Sequence, residues 1–311
     1  MLFCTKLGKE VNRLHIDTCP LCGKSHFEKV MTCTDHYATN EPFDICRCTA
    51  CGFLFTQDAP DENEIGRYYE SPDYISHTDT RKGLANRLYH YVRQYMLRRK
   101  ARLIKRCCGL SRGRLLDIGT GTGYFPHFMQ ERGWRVSAIE KSPQARVFAH
   151  EHFGLEADAP EALGTYEAKS FDVVTLWHVM EHLQNLNETW ETLYSILDDR
   201  GILVVAVPNP TSSDALHYKE MWAAYDVPRH LWHFTPAVMQ QFGAKHGFIL
   251  AERHPMPFDA FYVSMLSEKY RKSGTPFIKG MIEGAEAGLA SLMKKERSSS
   301  MIYVFQKKVK A

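Results

Sequence analysis

The sequence predicts an α/β protein: a doubly wound, seven-stranded, mostly parallel sheet carrying a small ribbon domain at its N-terminus. Three observations lead there. From Arg112 onward, short apolar runs alternate with helical stretches to the end of the chain, the pattern of strands that pair in parallel because a helix crosses between them. One of these runs, LLDI at 115–118, passes straight into a glycine-rich turn, GTGTG, that opens a helix. Upstream, two short cysteine knuckles repeat one another, CPLCG at 19–23 and CTACG at 48–52.

The chain has 311 residues, 44% hydrophobic, 12% aromatic and 24% charged, enough to bury one large core with a smaller attachment and free of the bias that marks disordered or fibrous chains. A formal net charge of +3 is too small to imply a nucleic-acid partner. The start, MLFCTKLGKEVNRLH, interrupts its few apolar residues with Lys6, Lys9 and Glu10, and no run of 18 apolar residues follows. A cytoplasmic protein with no spanning segment is expected. The odd count of nine cysteines suits a reducing compartment with a metal site better than a disulfide framework.

In each knuckle a two-residue spacing aims two thiolates at one point, and the glycine after the second cysteine lets the backbone turn beneath the sulfurs. Cys19, Cys22, Cys48 and Cys51 are therefore expected to hold one structural zinc ion in a ribbon over residues 1–58. Cys46 lies near the second knuckle without that spacing and is left out. Residues 56–80 are acidic and tyrosine-rich and read as a connection. The stretch RKGLANRLYHYVRQYMLRRKARLIKR then shows helical spacing up to Gly109, so residues 59–110 form a linker and a basic helix. Arg98, Arg99, Lys100, Arg102, Lys105 and Arg106 on that helix read as a solvated face, with a grip on RNA as the rival reading.

The strand candidates from there are Arg114 to Ile118, Arg135 to Glu140, Phe171 to Trp177, Gly201 to Pro208, Gly247 to Glu252 and Met301 to Lys307, with a weak one near Leu155. They place residues 111–311 in the sheet domain. Ligands of such sheets bind at the carboxyl ends of strands where the winding reverses. The loop LLDIGTGTGYF at 115–125 departs from the dinucleotide fingerprint, which requires glycine or alanine where Tyr124 stands. It resembles instead, at every position, the D-x-G-x-G-x-G motif of class I S-adenosylmethionine-dependent methyltransferases. The resemblance extends through VSAIEKS, FDVVTLWHVMEHL, LDDRGILVVAVPNP and AAYDVPRHLWHFTPAVMQQFGAKHGF, where it is similar to the ubiquinone-pathway O-methyltransferases, and spans about Ser111 to Lys308. It implies a Rossmann-like methyltransferase fold, S-adenosylmethionine as cofactor and a small-molecule acceptor. It also implies that Asp117 receives the methionine amino group and Glu140 the ribose hydroxyls, with Gly119, Thr120, Gly121, Gly123, Tyr124, Phe125, Lys141, Asp158 and Trp177 around the cofactor. An RNA methyltransferase and a non-catalytic module that keeps the cofactor fold are the alternatives.

HVMEH at 178–182 matches the H-x-x-E-H signature of zinc proteases. It follows a β-branched and aromatic run, however, and so lies at a strand end rather than in mid-helix, which removes that reading. His178, Glu181 and His182 are left to bind a divalent cation, to supply a general base, or to shape the pocket. His230 and His233, with Arg229, Trp222, Tyr225 and Asp226, form a second polar and aromatic group; His178, His182, His230 and His233 are the base candidates, and Arg229 is placed to hold an acceptor carboxylate or phosphate. Residues 258–298 form an insertion between the sixth and seventh strands. Its Gly280, Gly284 and Gly288 make a bare stripe that another helix can approach, so the segment reads as a lid or a homodimer contact.

Overall fold

The computed structural model describes residues 12–69 and 84–308. The part of the expected connection from 70 to 83, and the chain start with its lysines, lie outside the described residues. The N-terminal strands are β1 (Arg13–Leu14), β2 (Phe27–Thr34), β3 (Pro42–Cys48), β4 (Leu54–Thr56) and β5 (Ala59–Pro60). Helix α1 (Leu84–Cys108) is the expected basic helix; Gly109, at φ 71°, ends it.

The sheet domain follows as β6 (Arg114–Ile118), α2 (Tyr124–Gln130), β7 (Arg135–Ile139), α3 (Pro143–Phe153), β8 (Ala157–Asp158), β9 (Phe171–Trp177), α4 (Leu186–Ile196), β10 (Leu197–Pro208), α5 (Ser213–Tyr218), β11 (Trp232–His233), α6 (Pro236–Lys245), β12 (Phe248–Pro255), α7 (Asp259–Tyr270), α8 (Pro276–Met293) and β13 (Ser300–Lys307). Seven of these strands form one sheet in the order β12-β13-β10-β9-β6-β7-β8. It is the expected sheet, parallel from β10 to β8, with β13 antiparallel to both its neighbours. Its central strands are apolar on both faces: from Gly201 to Pro208 every residue of β10 is buried, as a strand between two helical layers must be. The helices show only one apolar stripe, as in α4, where Leu186, Trp190, Leu193 and Ile196 face inward at helical spacing. From β6 the chain winds outward to β7 and β8, then crosses back to β9 on the other side of β6. This reversal opens a crevice at the carboxyl ends of β6, β7 and β9.

The ribbon is fused to this body rather than strung beside it. A second sheet runs β11-β4-β3-β2, so a strand from the far half of the chain completes the N-terminal sheet, with Trp232 opposite Phe55 and His233 opposite Leu54. Phe53 is fully buried against Trp232, Phe234 and Phe242, with ring centroids 5.6, 5.2 and 5.9 Å away. Those rings continue into Trp190 and Phe305 of the main domain. Because ribbon and sheet domain bury one core, Phe53→Ala is expected to lower the stability of the whole chain by about 3–5 kcal/mol in a single transition. Urea unfolding followed by tryptophan fluorescence and by far-UV dichroism checks this; two separate transitions would mean that the ribbon folds independently.

Candidate active site

The crevice is built by three strand ends. At the end of β6, Asp117 is 2% exposed. Its carboxylate accepts hydrogen bonds from the Thr175 hydroxyl on β9 and from Thr120 Oγ1 (2.8 Å) in the glycine loop. Burial pushes its pKa up to about 6, against these hydrogen bonds and the nearby Lys100 ammonium. A buried carboxylate with no direct ion pair favours a cation beside it.

The loop itself is held by Gly119 and Thr120, whose N–H groups donate to Ile139 O on β7. A Cβ on Gly119 would come within 2.2 Å of Val179 Cγ2, so glycine is required where the loop passes the end of β9. Gly121 has open space on the side where its Cβ would project, and its N–H donates to Glu140 Oε2 at 2.7 Å. Ser142 N donates to the other Glu140 oxygen at 2.8 Å. Glu140 is thus pinned at the end of β7 with its carboxylate beside the glycine loop, and lone pairs remain for further donors. Asp158 ends β8, where its backbone carbonyl accepts from Glu140 N and its side chain from the Tyr166 hydroxyl. Lys141 points away to an ion pair with Glu62. Tyr124 and Phe125 begin α2; Phe125 meets Trp177 edge-on at 5.6 Å.

Lys100 of α1 reaches this crevice. Its ammonium lies 4.1 Å above the Trp177 ring. Burial holds its pKa down to about 8, opposed by Asp117 and Asp259. Its sequence neighbours belong to the exposed basic face, and nothing in the spacing marks Lys100 as the one that turns inward.

On the opposite rim β9 ends at Trp177 and His178 follows at φ 58°, a left-handed conformation seldom adopted by a residue with a side chain and concentrated at functional sites. Its two ring nitrogens each face a carboxylate, Nδ1 to Glu181 Oε1 at 3.4 Å and Nε2 to Asp259 Oδ2 at 3.2 Å. Burial opposes the charge, yet Asp259 and Glu181 together push the pKa up to about 10. At neutral pH His178 is therefore an imidazolium, a donor rather than a base. Asp259, the first residue of α7, was missed in the sequence because 80 residues separate it from Trp177's neighbour and no motif contains it.

The remaining histidines divide. His182 Nδ1 lies 2.9 Å from Arg229 O and His230 Nδ1 2.9 Å from Ala224 O, so each ring donates there and keeps a lone pair on Nε2. Burial pushes His182 down to about 4, which keeps it neutral. His230 Nε2 lies 4.0 Å from Glu181 Oε1. Glu181 is 1% exposed and its oxygens accept no hydrogen bond. One donor atom each from Glu181, His182 and His230 lies within 4.8 Å of the others. The cluster is therefore not the sequence triplet His178, Glu181 and His182: His230 takes the place of His178. His233 stands apart. Its Nε2 meets Thr56 Oγ1 at 3.0 Å while that hydroxyl donates to His230 O, so the ring is a donor between β11 and β4, and burial drives its pKa down to about 3. Arg229 is equally committed. It makes two hydrogen bonds to Asp226 (3.0 and 2.6 Å), one to Asp35 (3.2 Å) and one to Tyr68 O (2.6 Å), which leaves its guanidinium holding the fold together rather than facing an acceptor.

In the ribbon, Cys19, Cys22, Cys48 and Cys51 bring their sulfurs within 4.8 Å of one another, with Cys19–Cys51 and Cys22–Cys48 both at 3.5 Å. Four thiolates at about 2.3 Å from one tetrahedral ion would be about 3.8 Å apart, so the set fits such an ion with little movement. Cys46 is not in the cluster. A cavity of about 620 Å³ lies elsewhere, between α1 and β12, lined by Arg99, Arg106, His254 and Met256 among others; apart from Lys100 it contains none of the crevice residues.

Comparison with known proteins agrees with this geometry. Residues 88–252 match the family model described as methyltransferase domain, just over half of the chain, and the protein belongs to that family. It is 36% identical over 89 residues to the ubiquinone biosynthesis O-methyltransferase of Azoarcus sp., covering 26% of this chain and 38% of that one. It is 28% identical over 190 residues to the protein of the same name from Azorhizobium caulinodans, covering 54% and 72%. The chain thus spans about two fifths of the length of the Azoarcus relative. A Galdieria sulphuraria structure assigned as a sarcosine dimethylglycine methyltransferase superposes with a TM-score of 0.50 at 13% identity, over 72% of this chain and 88% of that one, and shares the fold.

The two carboxylates around His178 generate a prediction. Its folded pKa stands above the free value of 6.5, so the pairing stabilises the fold fully below about pH 6.5 and is lost as pH rises toward 10. Asp259→Asn removes one partner and should lower the His178 pKa by at least one unit, measured by NMR titration of the ring protons. An unchanged titration would show that Asp259 does not hold the ring.

Proposed function

We propose that the protein transfers the sulfonium methyl group of S-adenosylmethionine to a small-molecule acceptor. The observation that carries this reading is the juxtaposition at one strand reversal of a buried, unpaired carboxylate (Asp117), an open glycine turn (Gly121) and a second carboxylate pinned beside it (Glu140). The residues present fit the cofactor. Asp117 would take the amino group of its methionine part and Lys100, beyond the Trp177 ring, the carboxylate; Glu140 would accept the ribose hydroxyls, with Asp158 further along the same edge. Thr120 and Gly119 hold the turn, Gly123 starts α2, and Tyr124, Phe125 and Trp177 give apolar cover, while Lys141 binds Glu62 at the rim. When bound, the cofactor supplies an electrophilic methyl group.

Around it the chain handles protons and position. His178, an imidazolium whose two nitrogens face Glu181 and Asp259, contributes its positive charge to the acceptor side of the crevice. His182 and His230, each with a lone pair on Nε2 and its other nitrogen fixed to a backbone carbonyl, are the groups able to take a proton from an acceptor, with the buried Glu181 to stabilise the resulting charge. His233 supports His230 from behind through Thr56. We further propose the division that serves this chemistry as a ribbon (1–58), a connection with the basic helix (59–110) and the catalytic domain (111–311). None of its described cysteines forms a disulfide, which suits the cytoplasm, and no helix among the described residues is long and apolar enough to cross a membrane.

Calorimetric titration with S-adenosylmethionine tests the reading. The protein should bind it, and Asp117→Asn should weaken binding at least tenfold, since a charge-assisted hydrogen bond to a buried group is worth about 1.5–3 kcal/mol. The ionised carboxylate is the binding form and its pKa is about 6, so affinity should be level above that pH and fall as pH drops from about 6 toward 4, with proton release on binding in that window. Absence of binding by the wild-type protein would sink the proposal and leave a fold kept without its cofactor.

We also propose that Cys19, Cys22, Cys48 and Cys51 bind one structural zinc ion. Elemental analysis should give about one zinc per chain, and removal by a strong chelator should lower the melting temperature, because β3 and β4 bury Phe53 and Phe55 in the common core. A metal-free preparation of undiminished stability would refute this.

A further inference from the structure

The insertion is a helical hairpin turned inside out. Gly280 and Gly284 of α8 lie against the backbone of α7: a Cβ on them would come within 2.5 Å of Met265 Cα and 2.7 Å of Phe261 Cα. The stripe of small residues is therefore consumed within the chain. The large apolar side chains of α8 point the other way and are exposed: Phe277 67%, Ile278 59%, Ile282 54%, Leu289 62%, Leu292 72% and Met293 91%.

These side chains are ordered. Ile278, Ile282, Ala285, Leu289 and Leu292 recur at spacings of four, three, four and three residues, which is the seam of a coiled coil, and Ala285 at its middle allows close approach. Its four large members, Ile278, Ile282, Leu289 and Leu292, are each more than half exposed, so pairing would take from water a face that the chain itself leaves bare. Lys279 and Glu286 flank the seam on one side, both exposed and without an ion-pair partner among the described residues.

We propose that α8 pairs with α8 of a second copy of this chain, antiparallel, about a two-fold axis. Ile282 of each copy lies opposite Ala285 of the other, and Ile278 opposite Leu289. In an antiparallel pair the flanks on one side meet each other. This register brings Lys279 of one copy within a helical half-turn of Glu286 of the other, and the symmetry makes the contact twice. A parallel pair would set each of these charges beside Gly274 or Met281, so the charge pattern selects the antiparallel arrangement.

Sedimentation velocity on the full chain from 1 to 50 µM, in about 0.1 M salt, tests the interface. The wild-type protein should sediment as a dimer that dissociates on dilution, and Ile282→Glu, which places a charge in the seam, should be monomeric. Lys279→Glu alone turns both flanking contacts repulsive and should weaken the dimer on the order of tenfold. Lys279→Glu combined with Glu286→Lys restores the opposite charges and should return the dimer to near the wild-type dissociation constant. Both residues are exposed, so the swap leaves the fold intact, and circular dichroism verifies this for each variant. A monomeric wild-type protein, or a dimer indifferent to Ile282→Glu, overturns the proposal; monomers that co-sediment through the same residue with vesicles of zwitterionic and anionic lipid show that a lipid surface covers the face instead. A swap that fails to restore the dimer overturns the antiparallel register.

Discussion

The acceptor side of the crevice depends on five consecutive residues, Arg229 to His233. Their backbone is bonded on both flanks: Leu231 N donates to Glu181 O, and Leu231 O accepts from Thr56 N. Trp232 and His233 pair with β4 as the last strand of the ribbon sheet, while Arg229 O receives His182 Nδ1. The Arg229 guanidinium then binds Asp35 of the ribbon and Asp226 of its own loop. A buried arginine between two carboxylates adds little net stability compared with an apolar replacement, but removing one partner strands a charge in the interior. Its structural effect is therefore one of register. With the segment fixed on both sides, His182, His230 and Glu181 are brought together from three sequence positions and held without flexible loops.

Charge is distributed across the crevice in a consistent way. The glycine-loop half is built around a carboxylate that burial disfavours, Asp117, with Lys100 nearby, itself a cation that burial disfavours. Neither group satisfies the other through direct contact, so a buried anion and a buried cation stand side by side in the crevice. The acceptor half is the reverse. There two carboxylates, Glu181 and Asp259, fix the charge of His178, and burial keeps His182 and His233 neutral. Four histidines that look interchangeable in sequence thus occupy three states: a cation, lone-pair carriers at His182 and His230, and a buried donor at His233. The difference arises from what each nitrogen faces.

The parts of the protein that were legible in the sequence are those governed by local rules. Strand and helix periodicities, the D-x-G-x-G-x-G loop, Asp117 and Glu140 at strand ends, and the two cysteine knuckles each depend on spacing within a few residues, and the structure places them as that spacing requires. What the sequence left open depends on contacts between distant segments. Lys100 turns inward because α1 crosses the end of β9 at Trp177, yet it reads as one of six similar cations. Asp259 matters because the insertion folds back over His178. Arg229 reads from its charge as a holder of an acceptor anion, but a ribbon carboxylate 194 residues away occupies it. Ribbon and sheet domain read as separate units because β11, a two-residue strand, is too short to show as a period.

The same hairpin links the surface to the chemistry. Helix α7 begins at Asp259, whose carboxylate faces His178 Nε2, and runs back beneath α8, where Gly280 and Gly284 allow backbone-to-backbone contact. Contact at that distance leaves no side chains to absorb displacement, so α7 and α8 move as one body. The hairpin is anchored to the body along its length: Ala223 N donates to Ser267 Oγ, Arg271 donates to His217 O, and Tyr270 stacks on His36 of the ribbon, besides the Asp259–His178 pair. The apolar face of α8 and the carboxylate that faces His178 thus belong to one packed hairpin.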